Sequence, residues 1–124
     1  MKKILIVEDD AITARIYKTC LEKEGYEVDV AGDGLTGFDR LIQFRPDGML
    51  VDLMLPKMSG VEVIKKVRAI EAYRGMPIIA FTNAFVPAMV EQVKAAGASA
   101  VLDKATINGS ILAASFREVL GSRE

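Results

Sequence analysis

Five short apolar runs recur along the chain with helix-length segments between them: Ile4 to Val7, Val28 to Ala31, Met49 to Val51, Ile78 to Phe81 and Ala100 to Leu102. Runs of this kind are continuous rather than alternating, the pattern of parallel strands covered on both faces by crossover helices. Only Glu27-Val28-Asp29-Val30 alternates, which predicts a strand at the edge of the sheet. The chain is thereby restricted to a βα unit repeated five times.

The intervening segments carry helix punctuation. Asp10 is placed to cap a helix reaching Glu24 and stopped by Gly25, with Ile12, Ile16 and Cys20 at i, i+4 and i+8 as its core stripe. Asp33-Gly34 opens a second helix that Pro46 ends. Ser59 caps a third, with Val63, Ile64, Val67 and Ile70 inward, and Pro87 fits the first turn of a fourth, stopped by Gly97. A fifth is predicted from about Thr106 to Gly121, striped by Ile111/Leu112, Ser115/Phe116 and Val119/Leu120. The tail Gly121-Ser122-Arg123-Glu124 is compatible with a natural end or with the cut edge of a longer protein.

At 124 residues, positions 1–124 read as a single domain with a sizeable core. The 16 basic and 17 acidic residues nearly balance, so direct nucleic-acid binding is not expected. No apolar run approaches the roughly 20 residues of a membrane span, and "MKKILIVEDD" turns acidic too early for a secretory signal. A cytoplasmic protein is expected. Cys20 is the lone cysteine, and histidine is absent, which removes Ser-His-Asp triads, histidine phosphorylation and most zinc sites.

One motif points elsewhere. "GDGLTG", Gly32 to Gly37, matches the dinucleotide fingerprint G-x-G-x-x-G. Asp33 would then stand beside a pyrophosphate and repel it. The match is therefore read as a turn and helix start.

Ligands of open parallel sheets bind beyond the carboxyl ends of the strands, so the residues terminating the apolar runs matter most. Those residues are Glu8-Asp9-Asp10, Asp52, Thr82 and Asp103-Lys104. Clustered carboxylates raise one another's pKa unless a cation joins them. Glu8, Asp9 and Asp52 count −3, Lys104 counts +1, and one divalent ion brings the site to zero. Oxygen ligands without His or Cys suit Mg²⁺, Mn²⁺ or Ca²⁺, and a shallow site with room for water and phosphate favours Mg²⁺.

These segments together resemble the receiver domain of two-component response regulators. "ILIVEDD" is similar to the family's acidic-pocket strand, "MLVDLMLPKMSG" to its phosphoacceptor segment, "IIAFTN" supplies Thr82 and "AGASAVLDK" supplies Lys104. The resemblance implies a flavodoxin-like α/β fold, a doubly wound parallel sheet of five strands in the order 2-1-3-4-5. It implies a signalling switch rather than a turnover enzyme. Asp52 would accept a phosphoryl group from a histidine kinase or histidine phosphotransfer partner, with Thr82 and Lys104 assisting. Mg²⁺ would be held by Asp9, Asp52 and the backbone carbonyl of Met54, with Glu8 acting through water. A downstream effector would read the face made by the fourth and fifth helices and the fifth strand, and a homodimer is left open. The rival reading is a degenerate receiver-like module that binds partners without phosphorylation.

Three positions depart from the family pattern. Ala105 follows Lys104 where the family usually has proline, often with a cis bond, which predicts a different placement for Lys104. Val101 stands where an aromatic typically reports the movement of the threonine, and Asn83, with Phe85 beyond it, stands where a small residue normally follows that threonine. An altered readout is expected from a still phosphorylatable Asp52.

Overall fold

Five parallel strands, β1 (Lys3–Val7), β2 (Glu27–Ala31), β3 (Gly48–Asp52), β4 (Ile78–Thr82) and β5 (Ala100–Asp103), form one sheet in the order β2-β1-β3-β4-β5. The computed structural model describes residues 1–121, so the reading of the tail at 122–124 lies outside the described residues. Helices α1 (Ala11–Lys23), α2 (Gly34–Phe44), α3 (Gly60–Arg68), α4 (Pro87–Ala96) and α5 (Gly109–Leu120) connect and follow the strands. The apolar runs predict the five βα units, and the strand order is the flavodoxin-like one that the resemblance implies. The alternating segment is β2, at the sheet edge.

Successive side chains of each strand enter opposite layers. Ile4, Ile6, Leu50, Ile79 and Phe81 pack with Tyr17 and Leu21 of α1 and with Leu112 and Phe116 of α5. Leu5, Val7, Met49, Val51, Ile78 and Ala80 pack with Leu41, Val63, Ile64, Val67 and Val93 of α2, α3 and α4. Both faces of the sheet are covered, which is why its central strands read as unbroken apolar runs.

The helix stripes need two corrections. On α1, Ile12 is 73% and Ile16 56% exposed, Cys20 is half-buried, and the buried residues are Ala14, Tyr17 and Leu21. Two apolar stripes share this helix, and the one carrying the larger tyrosine and leucine side chains takes the core. Helix α5 begins later than Thr106. The Asp103 carbonyl accepts from the N–H groups of Thr106 and Ile107, both at 3.1 Å, and its carboxylate from Ala105 at 3.0 Å. These bonds wind residues 104–106 into a turn, and Asn108 caps the helix by accepting from Ile111 N–H at 2.8 Å. Ile111, counted into the stripe, is exposed, whereas Leu112, Ala113 and Phe116 are buried.

The remaining caps follow the predicted residues. Asp33 accepts from Thr36 N–H at 2.8 Å, and Ser59 forms a reciprocal capping box with Glu62. Asp10 stands at the N-cap of α1 without a side-chain cap bond to the backbone; its carboxylate accepts from the Thr13 hydroxyl instead. Helix α4 has Pro87 in its first turn and Gly97 at its end, no side-chain cap at Val86, and Val93 as its one fully buried residue. A short 3-10 turn at Glu71–Tyr73, unpredicted, follows α3, and Ile70 just before it is only partly buried against the core. Among the described residues no helix is long and apolar enough to cross a membrane.

Candidate functional site

The register of β1 with β3 pairs Val7 with Val51, so the residues that follow, Glu8 just past β1 and Asp52 at the end of β3, stand side by side. Glu8, Asp9 and Asp52 each offer a carboxylate oxygen, and these atoms lie within 4.8 Å of one another. Glu8 and Asp52 are buried, at 1% and 2% exposure, while Asp9 is open to solvent. Lys104, at the turn after β5, reaches over this cluster. Its Nζ lies 3.0 Å from Glu8 Oε1 and 3.2 Å from Asp52 Oδ2. With Ala105 following it, and no cis peptide bond among the described residues, Lys104 meets both acids.

Backbone donors fix the carboxylates further. Asp10 N–H donates to Glu8 Oε2 at 2.9 Å, and Met54 N–H donates to Asp52 Oδ1 at 3.1 Å. Thr82 ends β4 fully buried; its hydroxyl accepts from Ala84 N–H at 3.0 Å, and its carbonyl accepts from Lys104 N–H at 2.9 Å. Met54 is largely exposed on the loop after β3. That loop is tied back where Gly60 N–H donates to the Leu53 carbonyl at 3.1 Å.

One glycine sets how closely two loops approach. A Cβ at Gly34 would lie 2.6 Å from the Met58 carbonyl oxygen, so the start of α2 is pressed against the loop after β3. The fingerprint Gly32 to Gly37 is spent on this packing and on the Asp33 cap. Asp33 also pairs with Lys57 at 3.6 Å, and its carboxylate occupies the N-terminus of α2 where a pyrophosphate would have to bind.

Burial raises the pKa of Glu8, outweighing the Asp10 N–H and Lys104, which both lower it. Burial lowers that of Lys104, but its bonds to Glu8 and Asp52 prevail and leave it raised. The folded chain thus holds the Glu8 proton to higher pH than the unfolded chain does. This contribution to stability is complete below the ordinary glutamate value of 4.5 and is lost as pH rises through the elevated one. Without divalent metal, Glu8→Gln is therefore expected to raise the thermal midpoint at neutral pH. The advantage should close as the buffer is taken below that ordinary value, and a midpoint unchanged or lowered at neutral pH would contradict the assignment.

The sequence profile described as the response regulator receiver domain matches residues 4–115. The chain belongs to the response regulator receiver family. It is 32% identical over 103 residues to the polar-differentiation response regulator DivK of Brucella anthropi, covering 83% of this chain and 84% of that one. Among solved structures, chemotaxis response regulator CheY4 of Vibrio cholerae superposes with a TM-score of 0.90 at 31% identity, covering 96% of this chain and 98% of that one. A CheY-like receiver domain protein from Methanospirillum hungatei gives 0.88 at 32% identity, covering 97% and 94%.

Receiver domains belong to two-component signalling and are not enzymes in the ordinary sense. In this receiver the four strand-end segments converge on one pocket, with Glu8, Asp9 and Asp52 in mutual reach, Lys104 against Glu8 and Asp52, and Thr82 on the strand beside Asp52. The positions that depart from the family pattern fall outside that cluster. Val101 is buried among Val93 and Ala98 in the layer under α4, whereas Asn83 and Phe85 are exposed on the loop leading into α4. One neighbour of the pocket escaped the sequence reading: Phe81, whose ring lies under the Lys104 ammonium. Its position just before Thr82 was the available signal, but an apolar residue in an apolar strand carries no mark of it.

Proposed function

We propose that this receiver is a phosphorylation-dependent switch, with Asp52 accepting a phosphoryl group from a phosphohistidine on a sensor histidine kinase or histidine phosphotransfer protein. The observation that carries the reading is the convergence of three carboxylates within 4.8 Å under a lysine that contacts two of them. A carboxylate oxygen of Asp52 forms the new bond to phosphorus as the phosphorus–nitrogen bond of the donor breaks. The electron pair returns to the imidazole nitrogen, which takes a proton.

The donor set fits a hard divalent cation: oxygen atoms only, more acidic than the single lysine can neutralise. Asp9, Asp52 and the Met54 carbonyl would hold Mg²⁺, with Glu8 acting through water. The ion would supply positive charge against the phosphoryl oxygens. Lys104 brings its ammonium to the same oxygens, and electrostatic stabilisation of this kind is the main catalytic contribution in phosphoryl transfer.

Thr82 links the chemistry to the surface. Its hydroxyl accepts from Ala84 N–H, and the same hydroxyl can donate to a phosphoryl oxygen. Drawing Thr82 towards Asp52 would pull the loop that leads into α4 and alter the face of α4, β5 and α5 offered to an effector.

Incubation with Mg²⁺ and acetyl phosphate, followed by intact mass, tests the proposal. One phosphoryl group is expected per chain, and none without the metal. A folded protein that takes no phosphoryl group with Mg²⁺ present would replace this reading with a module that binds partners without phosphorylation.

A further inference from the structure

Lys104 has a third neighbour besides its two carboxylates. Its Nζ lies 5.0 Å from the centroid of the Phe81 ring, within range of a cation–π contact. Phe81 is fully buried and immediately precedes Thr82 in β4. Tyr17 of α1 meets it at 5.4 Å between centroids with the rings 73° apart, an edge-on packing that fixes the phenylalanine.

We propose that Phe81 is a positioning residue for phosphoryl transfer: its ring face, braced by Tyr17, holds the Lys104 ammonium between Glu8 and Asp52. The proposal rests on the reading of Asp52 as phosphoacceptor. A lysine side chain is a point charge on a flexible stem, and here no proline follows it to stiffen the turn. The two carboxylates alone are a poor lasting hold. Once an Asp52 oxygen is bonded to phosphorus its charge passes to the phosphoryl group, and Lys104 must follow. The quadrupole of a phenyl ring does not change during the reaction, so the contact with Phe81 persists while the charged partners exchange.

The test compares labelling rates by acetyl phosphate at saturating Mg²⁺ for the native chain, Phe81→Leu, Lys104→Met and the double variant, with Mg²⁺ affinity measured on each. Phe81→Leu should label about fivefold more slowly at unchanged Mg²⁺ affinity, and should cause no further loss once Lys104 is Met. Equal rates for Phe81→Leu and the native chain would overturn the proposal, as would the same slowing in the Lys104→Met background. Phe81→Met, whose unbranched side chain adapts to the space the ring leaves, repeats the comparison if leucine unfolds the chain. On the native protein, the Lys104 ε-methylene protons should resonate upfield under the ring current, and unshifted protons would also overturn the proposal. A native chain that does not label at all instead defeats the phosphoacceptor reading, an outcome separate from any ratio between variants.

Discussion

Asp52→Asn should take no phosphoryl group under conditions where the native chain takes one, as read by intact mass after incubation with Mg²⁺ and acetyl phosphate. The substitution keeps the shape of a side chain that is 2% exposed. Its amide oxygen still accepts from Met54 N–H, the bond that Asp52 Oδ1 makes at 3.1 Å. Two things are lost: the anionic oxygen able to attack phosphorus, and one of the two negative charges facing Lys104. Loss of labelling in a protein with native unfolding behaviour would therefore locate the chemistry on this carboxylate. Continued labelling would move the acceptor elsewhere, with the exposed Asp9 as the neighbour to substitute next.

Gly60→Ala is expected to cost about 3 kcal/mol of stability, the upper range for forced overpacking. An added Cβ would lie 2.6 Å from Leu53 Cα and against the carbonyl oxygen of Asp52, both backbone atoms with no rotamer to escape into. The first turn of α3 and the end of β3 would have to separate, weakening the bond from Gly60 N–H to the Leu53 carbonyl. Urea unfolding at constant slope measures the loss, and Gly75→Ala supplies the control, because a Cβ there meets nothing within 4 Å. A Gly60→Ala midpoint equal to that of the control would show that the loop relaxes freely. The displaced atoms belong to Asp52, the proposed phosphoacceptor, and to its successor Leu53, so a surviving variant should also label slowly.

The sequence discloses the sheet because parallel strands buried on both faces leave unbroken apolar runs, and discloses the pocket because ligand-binding residues must stand where those runs stop. What it hides is governed by choices between equivalent patterns. On α1, Ile12-Ile16-Cys20 and Ala14-Tyr17-Leu21 are both spaced to make a stripe, and only packing against Phe81 and its neighbours decides which one turns inward. At the start of α5, Thr106 and Asn108 are both competent caps; the turn bonds to Asp103 decide for Asn108. The 3-10 turn at Glu71–Tyr73 is too short to have a period. Phe81 was hidden for another reason, since its contact with Lys104 joins a residue of β4 to one on the turn after β5 and no spacing along the chain records it.

Helix α4 carries one fully buried side chain, Val93, and lacks a side-chain cap at its start, whereas α3 buries Val63, Ile64 and Val67 behind a capping box. Their ease of displacement differs accordingly. Shifting α3 would uncover three fully buried aliphatic side chains, whereas shifting α4 uncovers one, beside the partly buried Met89, Val90 and Ala96. A coupling of the size usual between linked sites, about 1–3 kcal/mol, is comparable with the burial of one such side chain. The weakly moored helix is also the one joined to Thr82 through the loop that begins at Asn83. A small push delivered there falls on the element with the least inertia.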